Sequence, residues 1–193
     1  FLELESFSEG RSTHAWKCFG AHPAKAPDGT EGYLFRVWAP NAPKVTVIGD
    51  FNGWDLEATP MERVEGGIWE AFVPGIKRYD AYQYAIHKED GTFVGKADPY
   101  GFHAATRPDV STKIYDLDTG YQWGDQDWMD YRSKNPPYRR PMNIYECHLG
   151  SWRRTGEDEM LSYRDIGKYL VPYVKEMGYT HAVSYTHLRA HET

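Results

Sequence analysis

The sequence predicts a mostly β fold: a β-sandwich in the first half, then the opening of an α/β unit. Period-two hydrophobic alternation begins at Tyr33, and Gly, Pro and Asn-Gly turn signals punctuate the chain from there through His87. Further on, the apolar-leaning run Ile144 to Leu149 ends at Gly150-Ser151 and is followed by apolar residues at helical spacing.

Phe1 to His22 is a polar entry segment with scattered aromatics, and Ala24 to Gly32 a Pro/Asp/Gly-rich loop. From Tyr33, Phe35, Val37 and Ala39 fall on one side of a strand and Leu34, Arg36 and Trp38 on the other. Pro40-Asn41-Ala42-Pro43 turns the chain into the β-branched strand Lys44 to Gly49. An Asn52-Gly53 turn follows, then strands at Ile68 to Val73 and Ala81 to His87, so the sandwich spans 23–105. Residues 106–142 are rich in Pro and Asp, a composition that disfavours helix and central strand alike, so they read as a semi-rigid connector.

In 143–183 the strand at Ile144 is followed by a charged loop and a helix. Ser162 and Asp165 form a capping box in which both side chains satisfy first-turn N–H groups. Ile166, Leu170, Tyr173, Val174 and Met177 make the apolar stripe, Pro172 should kink the helix, and Gly178 ends it. Tyr179 to Val183 begins a second strand. The remainder, 184–193 (SYTHLRAHET), lacks the apolar run of a buried strand and reads as a non-native, adapter-derived tail, expected to be disordered. His181, His187 and His191 match no zinc spacing, so no metal is expected.

Composition narrows the function. Lys and Arg number 22 against 28 Asp and Glu, a net charge of −6, which argues against a nucleic-acid partner. No apolar run reaches the length of a membrane span, so no membrane partner is expected. Cys18 and Cys147 match no metal or redox spacing, and no signal peptide is visible; together these read as a reducing, cytoplasmic location. The 16% aromatic content, with 15 Tyr and 7 Trp, suits sandwich cores and stacking on sugar rings.

Several motifs carry a family resemblance. Val37 to Ala42 (VWAPNA) and Gly49 to Trp54 (GDFNGW) resemble carbohydrate-binding module family 48, an immunoglobulin-like domain of α-glucan-active enzymes. The element Gly20 to Pro23 (GAHP), the run Lys96 to Gly101 (KADPYG) and Ile144 to Arg154 (IYECHLGSWRR) resemble the 1,4-α-glucan (glycogen) branching enzymes of glycoside hydrolase family 13. That family also has proline at the place of Pro172. The resemblance implies an immunoglobulin-like β-sandwich followed by a truncated start of an (α/β)8 TIM barrel, with α-glucan as partner and no cofactor.

Branching enzymes cut an α-1,4 chain and transfer it to a 6-hydroxyl, using carboxylates from later barrel strands. None of those motifs occurs here, so no catalytic residue is assigned and the chain is expected to be inactive. Glu146, in the first barrel strand, reads as structural. The glucan-binding candidates are Trp54, Asn52, Gln83 and Phe93. Trp54 matches a tryptophan that stacks on sugar in glycogen-binding relatives; the competing reading is that it packs on the sandwich edge, with the aspartate and glycine around it serving the turn. Gln83 stands where those relatives have Lys, and Phe93 where they have a second stacking Trp, so the sandwich could mainly brace the barrel. Alternative readings are a stand-alone α-glucan-binding module, or a fragment of a debranching or trehalose-releasing family 13 hydrolase. Residues 142–183 count against the first and the HLGSW ending against the second. The motifs also weigh against an adhesion-type sandwich, and oligomeric state stays open.

Overall fold

The computed structural model describes residues 2–184. It divides into two compact units, Phe1–Tyr121 and Gln122–Thr193.

In the first unit, α1 (Leu2–Ser8) precedes nine strands: β1 (Gly20–Lys25), β2 (Glu31–Trp38), β3 (Val45–Gly49), β4 (Glu62–Arg63), β5 (Ile68–Pro74), β6 (Ala81–His87), β7 (Phe93–Lys96), β8 (His103–Ala104) and β9 (Thr112–Lys113). One sheet has the order β1-β2-β5-β4; the other runs β3-β6-β9-β8, with β7 also paired to β6. Every pairing in both is antiparallel. The alternation read in β2 is what packs it. Phe35 and Val37 are buried and join Val45, Val47, Trp69, Tyr82 and Tyr84 in one core between the sheets. Each such side chain contributes about 1.5–3 kcal/mol by leaving water.

Two expectations fail here. The entry segment and the loop after it contain β1, whose Pro23 pairs with Tyr33. Proline is tolerated because β1 is an edge strand, with no neighbour asking for that N–H. The connector 106–142, whose composition disfavours helix and central strand, holds one of each. Thr112–Lys113 pairs with both β6 and β8, and Gln126–Lys134 is a helix, α2. The prolines flank these elements and do not interrupt them.

The KADPYG run acquires a physical role. Asp98 is buried, and its Oδ2 accepts hydrogen bonds from the hydroxyls of Tyr82 (2.7 Å) and Tyr84 (3.0 Å). Its Oδ1 accepts the Tyr100 N–H at 2.8 Å, and its own N–H donates to Thr112 Oγ1 at 2.8 Å. Tyr82 and Tyr84 are two apart on β6 and so share its inner face. Burial raises the Asp98 carboxyl above its ordinary range, against the hydrogen bonds from Tyr82, Tyr100 and Tyr84, which lower it. The Tyr100 ring stacks on Phe19 at 5.2 Å, and Phe7 of α1 lies 4.5 Å from Phe19, so the entry helix is tied to the sandwich.

The second unit holds β10 (Ile144–Cys147), the one-turn α3 (Leu149–Trp152), α4 (Tyr163–Glu176) and β11 (His181–Ser184). β10 and β11 are parallel, with Ile144 opposite His181 and Cys147 opposite Ser184. Ser184, assigned to the tail in the sequence reading, therefore ends a strand; His187, His191 and the rest of that tail lie outside the described residues. Ile166, Leu170 and Val174 of α4 bury against Cys147, as the helical stripe predicts. Trp152 donates from Nε1 to the Tyr145 hydroxyl at 3.0 Å, so the helical turn that ends at Trp152 is pinned to β10 before the charged loop begins. The capping box is half as expected. Ser162 Oγ accepts the Asp165 N–H at 3.2 Å, but the Asp165 carboxylate takes the Ser162 hydroxyl (2.6 Å) and Lys168 (2.9 Å), not a backbone donor. These contacts hold the Asp165 carboxyl below its ordinary value, the Ser162 hydrogen bond most of all. α4 continues through Pro172. Lys168 and Pro172 are both exposed, so water can take the carbonyl that proline leaves unbonded. No described helix is long and apolar enough to cross a membrane.

Candidate functional site

The second sheet carries two of the four residues singled out from the sequence, Gln83 and Phe93, on the face turned away from the sandwich core, where Thr46, Ile48 and Ala85 are themselves buried. Val45, Val47, Tyr82 and Tyr84 enter the core, so strand alternation turns Thr46, Ile48, Gln83, Ala85 and His87 to the opposite face. The register sets Ile48 opposite Gln83, Thr46 opposite Ala85, Ala85 opposite Gly95, and His87 opposite Phe93.

Gln83 sits in the middle row. Its Nε2 donates to Ser111 Oγ at 3.2 Å. Its Oε1 lies close over Gly95, so a side chain at that position would have to push the Gln83 amide aside. At one end of the face Phe93 is 45% exposed, its ring 6.3 Å from that of His87. The His87 Nε2 is 3.0 Å from Thr46 Oγ1, an orientation that lays the imidazole back on the sheet. Sequence reasoning missed His87. The signal was available, because His87 is four residues from Gln83 on one strand and the Asp90-Gly91 turn brings Phe93 opposite it.

Trp54 lies beyond the end of β3. The short helical turn Asp50–Asn52 ends at Gly53, left-handed at φ 65°, and Trp54 follows at φ 63°. A bulky residue in that region costs roughly 1–3 kcal/mol, a conformation that persists only where surroundings enforce it. Here the Trp54 N–H donates to Gly49 O, and its indole Nε1 donates to Asp50 Oδ1, both at 3.0 Å. Asp50 Oδ2 in turn accepts the Ala81 N–H at 2.8 Å. The indole, 37% exposed, is thereby moored to the first residue of β6. From Ala81 to His87 the strand covers roughly 20 Å, which separates Trp54, moored beside Ala81, from Phe93, opposite His87.

Asn52 does not join them. Its Nδ2 donates to Val47 O and to Thr59 Oγ1, both at 3.0 Å, and its Oδ1 accepts the Gly49 N–H at 2.9 Å. Both donors of its amide serve the turn, leaving none for a ligand.

Among the described residues no group of three or more His, Cys, Asp or Glu could hold a metal. Glu146 is exposed on β10, in register with Val183.

Two antiparallel sheets packed over one core define a class, the β-sandwich modules. Residues 18–101 match the family model of carbohydrate-binding module 48, the isoamylase N-terminal domain. Over 93% of its length, that domain included, the chain is similar to 1,4-alpha-glucan branching enzymes. It is 45% identical over 183 residues to the 1,4-alpha-glucan branching enzyme GlgB of Rhodospirillum rubrum, and spans 24% of it. It is 41% identical over 203 residues to GlgB of Synechococcus sp. (strain CC9605), and spans 26% of that protein. The chain thus matches the carbohydrate-binding module 48 model over 18–101 and spans about a quarter of the length of the 1,4-alpha-glucan branching enzymes it is similar to.

Among solved structures, apo pullulanase from Klebsiella pneumoniae superposes with a TM-score of 0.58 at 21% identity, over 89% of this chain and 20% of that one. Apo pullulanase from Paenibacillus barengoltzii gives 0.52 at 18%, over 93% and 30%. At such identities the likeness is one of fold.

Proposed function

We propose that this chain is the sugar-binding region and first barrel step of a 1,4-α-glucan branching enzyme, and that its sandwich binds α-glucan on the outer face of the second sheet. Trp54 and Phe93 would cover C–H faces of sugar rings, with Gln83 and His87 at the hydroxyls between them. The observation that carries this reading is Trp54 itself, a large ring kept in a left-handed backbone and moored through Asp50 to β6 while more than a third of it stays open to water. The parallel β10-α4-β11 crossover supports the barrel assignment, since strand, helix and parallel strand is the repeating step of that fold. Identities of 41–45% to branching enzymes favour that family over debranching relatives. No residue here is given a part in glycosyl transfer, and the chain alone is expected to transfer none. Two free cysteines support a cytoplasmic setting.

Affinity electrophoresis in a glycogen-containing gel tests the binding. The full chain should be retarded, and Trp54→Ala should run nearly as in plain gel. Equal retardation of both would remove Trp54 from the site. No retardation of either would leave the sandwich as a brace for the barrel.

A further inference from the structure

The β5–β6 turn holds an arginine in an arrangement that the proposed function leaves unused. Arg78 stands exposed, its guanidinium over the rings of Tyr115 (4.5 Å) and Tyr79 (5.1 Å). His103 closes the group, its ring 5.5 Å from each tyrosine, and the two tyrosine rings lie 5.9 Å apart. β9 adds Lys113, in register with His103 of β8, and cross-strand partners share a face. The turn itself is fixed. Tyr79 is a second bulky residue at positive φ, 74°, a conformation that surroundings must enforce. Its N–H donates to Ile114 O at 2.8 Å, and the Ile114 N–H donates to Asp80 O at 2.9 Å. The Lys77 N–H donates to Asp80 Oδ2 at 2.8 Å. Ala81 pairs with Lys113 on one side and gives its N–H to Asp50 on the other, so β6 lies between this cluster and Trp54.

The chemistry selects a ligand class. The acids around the two cations are already occupied: Asp116 accepts the Tyr33 hydroxyl, Asp109 the Ser111 N–H and hydroxyl, and Asp80 the Lys77 N–H. Arg78 forms no ion pair and no hydrogen bond among the described residues. Contact with aromatic rings uses the faces of a guanidinium and leaves its in-plane N–H fork open. Net charge is therefore not what selects the ligand. A fork held in place and unspent is, and it matches an oxyanion bidentately. Lys113 on the same face favours a doubly charged phosphate over a carboxylate. The Tyr79 ring, 49% exposed, offers a flat surface to an organic group. We infer that this cluster is a site for a small phosphate monoester, its oxyanion on Arg78 and its organic part against Tyr79. Such a ligand is a charged small molecule, not the neutral polymer proposed above, and the site does not depend on that proposal.

Isothermal titration of the full chain with glucose 1-phosphate tests this. One ligand per chain is expected, with inorganic phosphate competing more weakly and glucose not competing. Arg78→Ala should bind roughly 10–100-fold more weakly, the worth of hydrogen bonds to a charged group. Arg78→Lys keeps the charge and loses the fork, so it should recover only part of that affinity. Trp54→Ala should bind as the parent does. Arg78 is exposed, so weaker binding in its variants cannot be ascribed to unfolding, and an unchanged urea midpoint checks this. No binding by the parent, or equal binding by Arg78→Ala, would overturn the site. Full affinity in Arg78→Lys would overturn recognition by the fork. Inorganic phosphate binding as tightly as the ester would overturn the monoester assignment. Binding lost in Trp54→Ala would overturn the site in favour of the glucan face.

Discussion

Replacing Asp98 should test whether the buried tyrosine–aspartate cluster holds the sandwich together. Its carboxylate serves three donors, two of them on side chains almost without solvent contact: Tyr82 is 1% exposed and Tyr84 0%. A buried donor left without an acceptor costs about 1–3 kcal/mol. Asp98→Ala strands both hydroxyls, though Tyr84 keeps a long bond to Arg36 O at 3.4 Å. Removing the carboxylate also removes the cost of burying its charge, which is why burial raises its pKa. The net loss should be roughly 2–4 kcal/mol, measured by urea unfolding with intrinsic fluorescence. Adding Tyr82→Phe to Asp98→Ala should recover about 1–2 kcal/mol, because one stranded hydroxyl goes with it. The pH dependence has an unusual sign. Since the folded-state pKa lies above the unfolded one, the folded protein keeps a proton that the unfolded chain has lost, between the two values. This group's contribution to stability therefore falls as pH rises through that window and is level above it, opposite to a paired surface carboxylate. Asp98→Asn should flatten that component. An Asp98→Ala protein within 0.5 kcal/mol of the parent, or an unchanged pH profile in Asp98→Asn, would refute the reasoning.

Other outcomes follow from the same contacts. Burial, more than the Asp116 hydrogen bond, pushes the Tyr33 pKa up to about 12, and burial raises Tyr82 and Tyr84 further. Spectrophotometric titration should show these three ionising later than the exposed tyrosines, and stability falling above the ordinary tyrosine range, where the unfolded chain ionises first; a single uniform tyrosine transition would contradict this. Asn52→Ala should destabilise the sandwich by about 1–3 kcal/mol in urea while retaining glycogen retardation in proportion to folded protein, the reverse of Trp54→Ala. The second unit has a two-stranded sheet with Ile144 and Val183 exposed, so it should open readily. Limited proteolysis is expected to cut after Tyr121 first and leave a resistant sandwich; equal resistance throughout would count against that.

Much of the fold could be read from local pattern. β2, β3, β5 and β6 announce themselves by alternation and β-branched residues, and α4 by its 3.6-residue stripe, because these signals come from which face of one element meets the core. β1 and β9 carry no such signal. β1 contains Pro23 and alternates weakly, and β9 is two residues long; each is a strand only because a neighbour's edge is there to pair with. The KADPYG run was legible as a motif, but its function in the fold was not. That depends on register bringing Asp98 beneath two tyrosines 14 and 16 residues earlier.

The candidate site divides in the same way. Trp54, Gln83 and Phe93 are singled out in the sequence by residue type and position in a motif. Asn52 and Trp54 stand two residues apart in one turn and look equally available in the sequence. Only the folded chain separates them: two consecutive left-handed residues reverse the backbone, so that Asn52 satisfies Val47, Gly49 and Thr59 inside the turn and Trp54 is left partly open to water. His87 joins the face by strand register, and Tyr33 meets Asp116 only because folding brings together segments 83 residues apart. Residue chemistry is local and survives in one dimension, whereas which polar groups are already satisfied is a property of neighbours that only packing supplies.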